Sequence, residues 1–217
     1  MRISQSHRRL NLSYTLYSHK GSGGFAIEAA LTLAQAPHSV VEIDTRGGEQ
    51  FSDEFRAINP WKQVPALTLP DGSIMTESAA MVIHLAAALP DAKLAPMPGS
   101  AQHAAFLRWI VFMTINIYES DLRVYYPARY TDEMKGRDGV KRAGMDHFRR
   151  GLQTMEDVLD PGPYILGETF SLADIYLAMV YVWYPEEIDL PRIHALKNQI
   201  AQHPVIGPIW HRHFGSK

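Results

Sequence analysis

Residues 59–69 read Asn59-Pro60-Trp61-Lys62-Gln63-Val64-Pro65-Ala66-Leu67-Thr68-Leu69, and residues 76–85 read Thr76-Glu77-Ser78-Ala79-Ala80-Met81-Val82-Ile83-His84-Leu85. Between them, Pro70-Asp71-Gly72 separates the apolar run Val64–Leu69 from Ser73-Ile74-Met75. Asp-Gly between two apolar runs signals a β-hairpin. Residues 77–88 then carry a helical pattern. Upstream, residues 52–58 predict a short helix behind Ser52 as N-cap. Residues 39–44 (SVVEID) predict a strand, and FAIEAALTLAQA, rich in Ala and Leu, predicts a helix. Residues 12–17 alternate, with Leu12, Tyr14 and Leu16 on one side and Ser13, Thr15 and Tyr17 on the other, which is the period of a strand. A polar turn, SHKGSGG, joins that strand to the first helix. Strand, helix, strand in that order implies a parallel pair with a right-handed crossover. The first 89 residues therefore read β-α-β-α-β-β-α.

Beyond them the character changes. PDAKLAPMPG (90–99) holds three of the chain's 14 prolines and reads as a linker. After it, strand signals almost vanish. Phe106, Trp109, Ile110, Met113 and Ile117 recur at helical spacing, as do Met145, Phe148, Leu152, Met155 and Leu159. Pro161-Gly162-Pro163 ends the second of these helices, and two more stretches, around 192–202 and 205–213, complete the chain. Ser171 with Asp174 forms a capping-box start for LADIYLAMVYV, a structural role. The expected fold class is α/β plus all-α: a domain of thioredoxin-like order over 1–89, a linker over 90–99 and an all-helical domain over 100–217.

Composition narrows the chemistry. The 217 residues include no cysteine, which removes disulfide frameworks, Cys-based metal sites, dithiol redox centres and cysteine nucleophiles. Any thiol used here must arrive with a ligand. Lys+Arg 21 against Asp+Glu 23 gives a net charge of −2, which offers no whole-chain case for nucleic acid or an anionic membrane. The basic N-terminal segment has no apolar h-region, and no apolar run reaches the ~18 residues of a membrane span. The expectation is a cytoplasmic protein. His211-Arg212-His213 sets its two rings apart on a helix, with no carboxylate cluster nearby in sequence, so no metal is expected.

With these segments in view, the chain resembles a cytosolic, bacterial-type glutathione S-transferase. Asn59–Leu67 is similar to that family's NPxxxVPxL, Thr76–Leu85 to its xESxAIxxYL and Ser171–Ile175 to its SxAD capping motif. All three fall in the family's order and spacing. The resemblance implies that Val64-Pro65 is cis, leaving the Val64 backbone to pair with the glutathione peptide as an added strand. It assigns the γ-glutamyl ammonium to Glu77 and the carboxylate to Ser78 at a helix N-terminus. Gln63, Lys62 and Gln50 are further candidates for glutathione contacts. Each of these residues also has a plainer reading: a turn proline, a helix start, a solvated side chain.

A family member must keep the glutathione sulfur ionised. A free thiol has a pKa of about 8.5, and lowering it by two units takes roughly 2.7 kcal/mol. A hydroxyl at a helix N-terminus can supply that. Ser22 is the leading donor, with Tyr17, Ser18, Tyr14 and the Gly23 or Gly24 N–H as alternatives, because the loop lacks the family's usual serine or cysteine pattern. The second-substrate site is expected between the domains, with Trp109, Phe112, Met113, Asn116, Tyr118, Arg123 and Tyr126 as candidates, several of which are equally readable as core. The implied activity is conjugation of glutathione to a small hydrophobic electrophile by a homodimer. Alternatives on the same fold are a glutathione-dependent lyase, dehalogenase, isomerase or peroxidase, or a binding protein with little turnover.

Overall fold

The computed structural model describes residues 13–215. Leu12, placed above on the inner face of the first strand, and the basic N-terminal segment lie outside them. Strand β1 (Tyr14–Ser18) is followed by helix α1 (Gly24–Leu33), strand β2 (His38–Glu42), helix α2 (Asp53–Ile58), the hairpin β3 (Ala66–Thr68) and β4 (Ile74–Met75), and helix α3 (Ser78–Ala88). The sheet order is β2-β1-β3-β4. β1 runs parallel to β2 and antiparallel to β3, with Leu16 opposite Val40 on one side and Leu67 on the other. This is the βαβαββα arrangement of a thioredoxin-like domain.

Of the ends that differ from the sequence reading, two stand out. β2 closes at Glu42 rather than Asp44, because the Asp44 carboxylate accepts the Arg46 and Gly47 N–H groups (3.1 and 2.9 Å) and turns the chain. α3 opens at Ser78 with no side-chain cap, and Glu77 before it adopts φ 65°. That left-handed conformation is unusual for a residue with a side chain. The Ser52 cap is present, its hydroxyl accepting the Phe55 N–H at 3.2 Å.

The remainder is helical. α4 (Ala101–Met113) runs through one π-helical turn (Thr114–Tyr118) into α5 (Glu119–Tyr125), followed by α6 (Arg137–Val158), α7 (Leu172–Val182), α8 (Pro191–Gln202) and α9 (Gly207–Phe214). α7 is buried from Leu172 to Val180 and α1 from Gly24 to Leu31. One continuous core joins both halves: Phe25 of α1 meets Trp210 and Phe214 of α9 edge-on, with ring centroids 5.4 and 5.0 Å apart. The proline-rich stretch is pinned to that core rather than loose. Leu94 is buried, and its carbonyl accepts the Leu172 N–H at 2.8 Å. At the start of α7, Asp174 accepts the Ile165 and Ser171 N–H groups (2.8 and 2.7 Å) and the Ser171 hydroxyl (3.1 Å). Burial nonetheless pushes its carboxyl up to about 6.

Candidate active site

The loop between β1 and α1 is held from both halves of the molecule. The Trp183 Nε1–H donates to the Gly21 carbonyl at 2.8 Å, and the Gly21 N–H donates to His213 Nδ1 at 3.2 Å. Accepting there leaves the ring proton on Nε2, which faces Glu28 Oε2 at 3.0 Å. Arg212 bonds the other Glu28 oxygen. Burial alone raises the Glu28 carboxyl, but the hydrogen bond from His213 and the neighbouring positive charges outweigh it and hold the group below its usual range.

Ser22 follows Gly21. Its Oγ receives the Gly24 and His19 N–H groups (3.3 and 3.4 Å) and lies 3.3 Å from the Ser18 Oγ. With two N–H donors on its oxygen, the Ser22 hydroxyl has its own proton to offer either to Ser18 or outward. It stands beside the amino end of α1, where the helix dipole favours a negative charge. Small residues make this packing possible. A Cβ on Gly23 would lie 2.9 Å from the Tyr118 hydroxyl, and one on Gly24 would collide with the Ser18 side chain.

The loop from α2 to β3 forms the next wall. The Asn59 amide donates to the Gln63 carbonyl at 2.7 Å, and its oxygen accepts the Trp61 N–H at 3.0 Å. This brace leads into a cis Val64-Pro65 bond. Ser78, at the α3 terminus, shares a hydrogen bond with the Tyr176 hydroxyl at 3.0 Å, and Tyr176 lies 3.3 Å from the Thr114 hydroxyl. The helical half supplies an aromatic wall: Tyr118 packs edge-on against Trp183 at 4.9 Å, and the Tyr125 hydroxyl donates to the Trp183 carbonyl at 3.2 Å. Burial raises the Tyr118 phenol well above its ordinary range, so it stays protonated.

These walls enclose a cleft of about 770 Å³ and an adjoining one of about 270 Å³, which share Gln63, Val64, Tyr118, Leu122 and Arg129. Ser22, Gln50, Lys62, Gln63 and Val64 line the larger; Gln63, Val64, Pro65, Glu77 and Ser78 line the smaller. Among the described residues, the lining cations Lys20, Arg46, Lys62 and Arg129 have no carboxylate ion-pair partner. The Gln50 Nε2 donates to Thr45, while its buried Oε1 has no partner.

The other candidate residues lie elsewhere. The Tyr17 ring packs against Phe55 of α2 at 6.5 Å, Ser18 is buried behind Ser22, and Tyr14 lies in the core. Of the expected second-substrate residues, Tyr118 and Tyr126 reach the cleft. Met113 is wholly buried in the core, Trp109 packs on Phe112, and the Asn116 amide turns back to the Phe112 carbonyl at 3.1 Å. Arg123 lies over the Tyr130 ring and bonds the Glu119 carbonyl. Sequence reasoning passed over Trp183, Asp121, Arg129 and Glu28, and weighed His213 only as a metal ligand. Only the HRH run around His213 stood out locally, and its partners are Gly21 and Glu28. Among the described residues, no cluster of three or more His, Asp or Glu is placed to hold a metal, and no helix is long and apolar enough to cross a membrane.

A braced X-Pro turn, an open helix start and a hydroxyl loop around two adjoining clefts sit in a thioredoxin-like domain joined to a helical one. Known proteins narrow this further. The family models for the glutathione S-transferase N-terminal and C-terminal domains match residues 26–88 and 120–204. The maleylacetoacetate isomerase of Rattus norvegicus is 30% identical over 168 residues, 75% of this chain and 74% of that protein. An uncharacterized GST-like protein of Escherichia coli, YncG, is 29% identical over 202 residues, 91% of this chain and 97% of that protein. The solved structure of a glutathione transferase homolog from Sulfitobacter, with bound glutathione, superposes with a TM-score of 0.86 at 26% identity, covering 94% of this chain and 99% of that one. The chain belongs to the glutathione S-transferase family.

Proposed function

We infer that this protein is a glutathione transferase in which the cleft holds glutathione and the Ser22 hydroxyl stabilises its thiolate. The observation that carries the reading is the Ser22 loop at the start of α1, in a cleft that shares Val64 with an adjoining one lined by the Glu77-Ser78 helix start. Val64 pairs with the peptide backbone, Ser78 and the free N–H groups of α3 take the γ-glutamyl carboxylate, and Glu77 takes the ammonium. Gln63, Lys62 and Gln50 serve the rest of the tripeptide, Lys62 as a cation for its glycyl carboxylate. Residues 1–89 bind glutathione, 90–99 connect, and 100–217 supply the second-substrate wall, with Tyr118 and Tyr126 on it. The small hydrophobic electrophile lies against that aromatic wall, and the protein works as a cytoplasmic homodimer.

The test is the thiolate itself. Glutathione should bind measurably by calorimetry, and the ultraviolet absorbance of its thiolate should titrate below the free value of about 8.5. Ser22→Ala removes a hydrogen bond to a charged group, about 1.5–3 kcal/mol, which raises that midpoint by roughly one to two units. An unchanged midpoint would remove Ser22 from the mechanism, and absence of binding would favour a protein of the fold without this chemistry. The rat relative's name favours a second reading, glutathione-dependent isomerisation. A panel of electrophiles and isomerisable alkenes at constant glutathione separates the two.

A further inference from the structure

Ser22 can stabilise a thiolate only if its hydroxyl points at one, and its direction is inherited from the turn that carries it. Residues 19–22 form a turn closed by the Ser22 N–H, which donates to the His19 carbonyl at 3.1 Å. Gly21 holds the third position of that turn at φ 75°, a left-handed conformation that such a turn requires there. Glycine has no side chain to favour this conformation over others, so the turn is soft at that point. Two groups from the helical half remove the softness. The Gly21 N–H belongs to the peptide plane before its Cα and donates to His213 Nδ1 at 3.2 Å. The Gly21 carbonyl belongs to the plane after it and accepts the Trp183 Nε1–H at 2.8 Å. With both planes held, the two dihedral angles of Gly21 are fixed, and with them the course of the backbone into Ser22.

The turn's own donors are already spent. The His19 N–H goes to the Ser22 Oγ, the Lys20 N–H to Glu42 Oε1, the Gly21 N–H to His213 and the Ser22 N–H to the His19 carbonyl. The Ser22 hydroxyl is what this turn has to offer a sulfur. His213 is committed as well. Its Nδ1 accepts from Gly21, so its proton sits on Nε2 and is given to Glu28 Oε2 at 3.0 Å. Neither nitrogen is left for a ligand, although the residue lines the larger cleft beside Ser22. The His213 side chain is only 4% exposed, and the Glu28 carboxylate that orients it is 9% exposed and bound also by Arg212.

We propose that His213 is a positioning residue for the thiolate chemistry: through the Gly21 N–H it aims the Ser22 hydroxyl at the glutathione sulfur, so the last helix governs how far the thiol ionises without touching it. The proposal rests on the transferase reading above, in which Ser22 meets the sulfur. Its effect falls on ionisation and not on affinity, because Gln63, Val64, Glu77 and Ser78 lie on other segments.

The experiment separates the two bonds of His213. Counted in bonds from the backbone, an Asn Oδ1 stands where His Nδ1 does, and a Gln Nε2 where His Nε2 does. His213→Gln therefore keeps the donor to Glu28 and loses the acceptor for Gly21, and His213→Asn does the reverse. In His213→Gln the thiolate absorbance of bound glutathione should titrate about one unit higher than in the wild type. Its kcat with chlorodinitrobenzene near pH 7 should fall by up to about tenfold and return as pH rises by that unit. His213→Asn should keep the wild-type midpoint while melting at a lower temperature, because Glu28 has lost one of its partners. S-methylglutathione, which has no thiol to ionise, should bind all three proteins alike. An unchanged midpoint in His213→Gln, an equal rise in His213→Asn, or a loss of S-methylglutathione binding in step with the rise would each overturn the proposal. Should His213→Gln fail to fold, Trp183→Phe, which frees the other plane of Gly21 and keeps a ring against Tyr118, is read in its place, and an unmoved midpoint there overturns the proposal equally. Ser22→Ala keeps the two readings apart. A wild type that binds no glutathione, or a midpoint unmoved by Ser22→Ala, defeats the reading above and this proposal with it. A midpoint moved by Ser22→Ala but not by His213→Gln defeats this proposal alone.

Discussion

Glu28 shows how one residue of α1 can govern a loop it does not belong to. Its carboxylate fixes His213, and His213 fixes the Gly21 N–H one residue before Ser22. Because its folded-state pKa is depressed, its contribution to stability is fully present above the ordinary carboxylate value of about 4.5 and is lost as pH falls through the lower folded value. Glu28→Gln should therefore lower stability by about 1–3 kcal/mol at pH 7, and should flatten the wild type's loss below about pH 4.5. Denaturant melts at pH 7 and pH 4 measure both. None of this was legible in the sequence, because Glu28 and His213 are 185 positions apart and no local pattern links them. Val64, Pro65, Glu77 and Ser78 were legible, because each belongs to a contiguous stretch whose spacing is itself the signal.

At the scale of elements, the order of strands and helices followed from alternation, helical spacing and turn residues alone. The rod of α4 and α5 did not. Its apolar spacing predicts one regular helix, and the π-helical turn at Thr114–Tyr118 is invisible to a 3.6-residue count. Around that turn Tyr118 and Asp121 line the cleft while Ile117 lies in the core. The start of α7 is the opposite case, because the Ser171–Asp174 box lies within four residues and was readable directly. Its reach to the Ile165 N–H was not. Asp174→Ala orphans the donors of Ile165 and Ser171 inside the core, so thermal or denaturant melts should show a loss of about 3 kcal/mol. A loss within about 0.5 kcal/mol, typical of a surface site, would contradict that assignment.

At the scale of the molecule, both halves leave large apolar side chains in solvent. Phe51 and Trp61 are 63% and 73% exposed on the α/β half, and Val111 and Ile115 are 46% and 61% exposed on the helical half. Large apolar side chains left in solvent are where an interface is sought. A homodimer pairing the α/β half of one chain with the helical half of the other would cover both sets, so gel filtration should report about twice the 24.4 kDa of the chain. Trp61→Glu should shift the protein toward the single-chain mass. The two hydrogen bonds on Gly21 have a consequence in time as well as in space. Residue 213 leaves the ribosome 192 positions after residue 21, about 10–40 s later at ~5–20 residues per second. Throughout that interval the Ser22 loop lacks its His213 clamp, so a nascent chain can hold a folded α/β half without a finished loop, and under the proposed function thiolate stabilisation arrives only with the last helix.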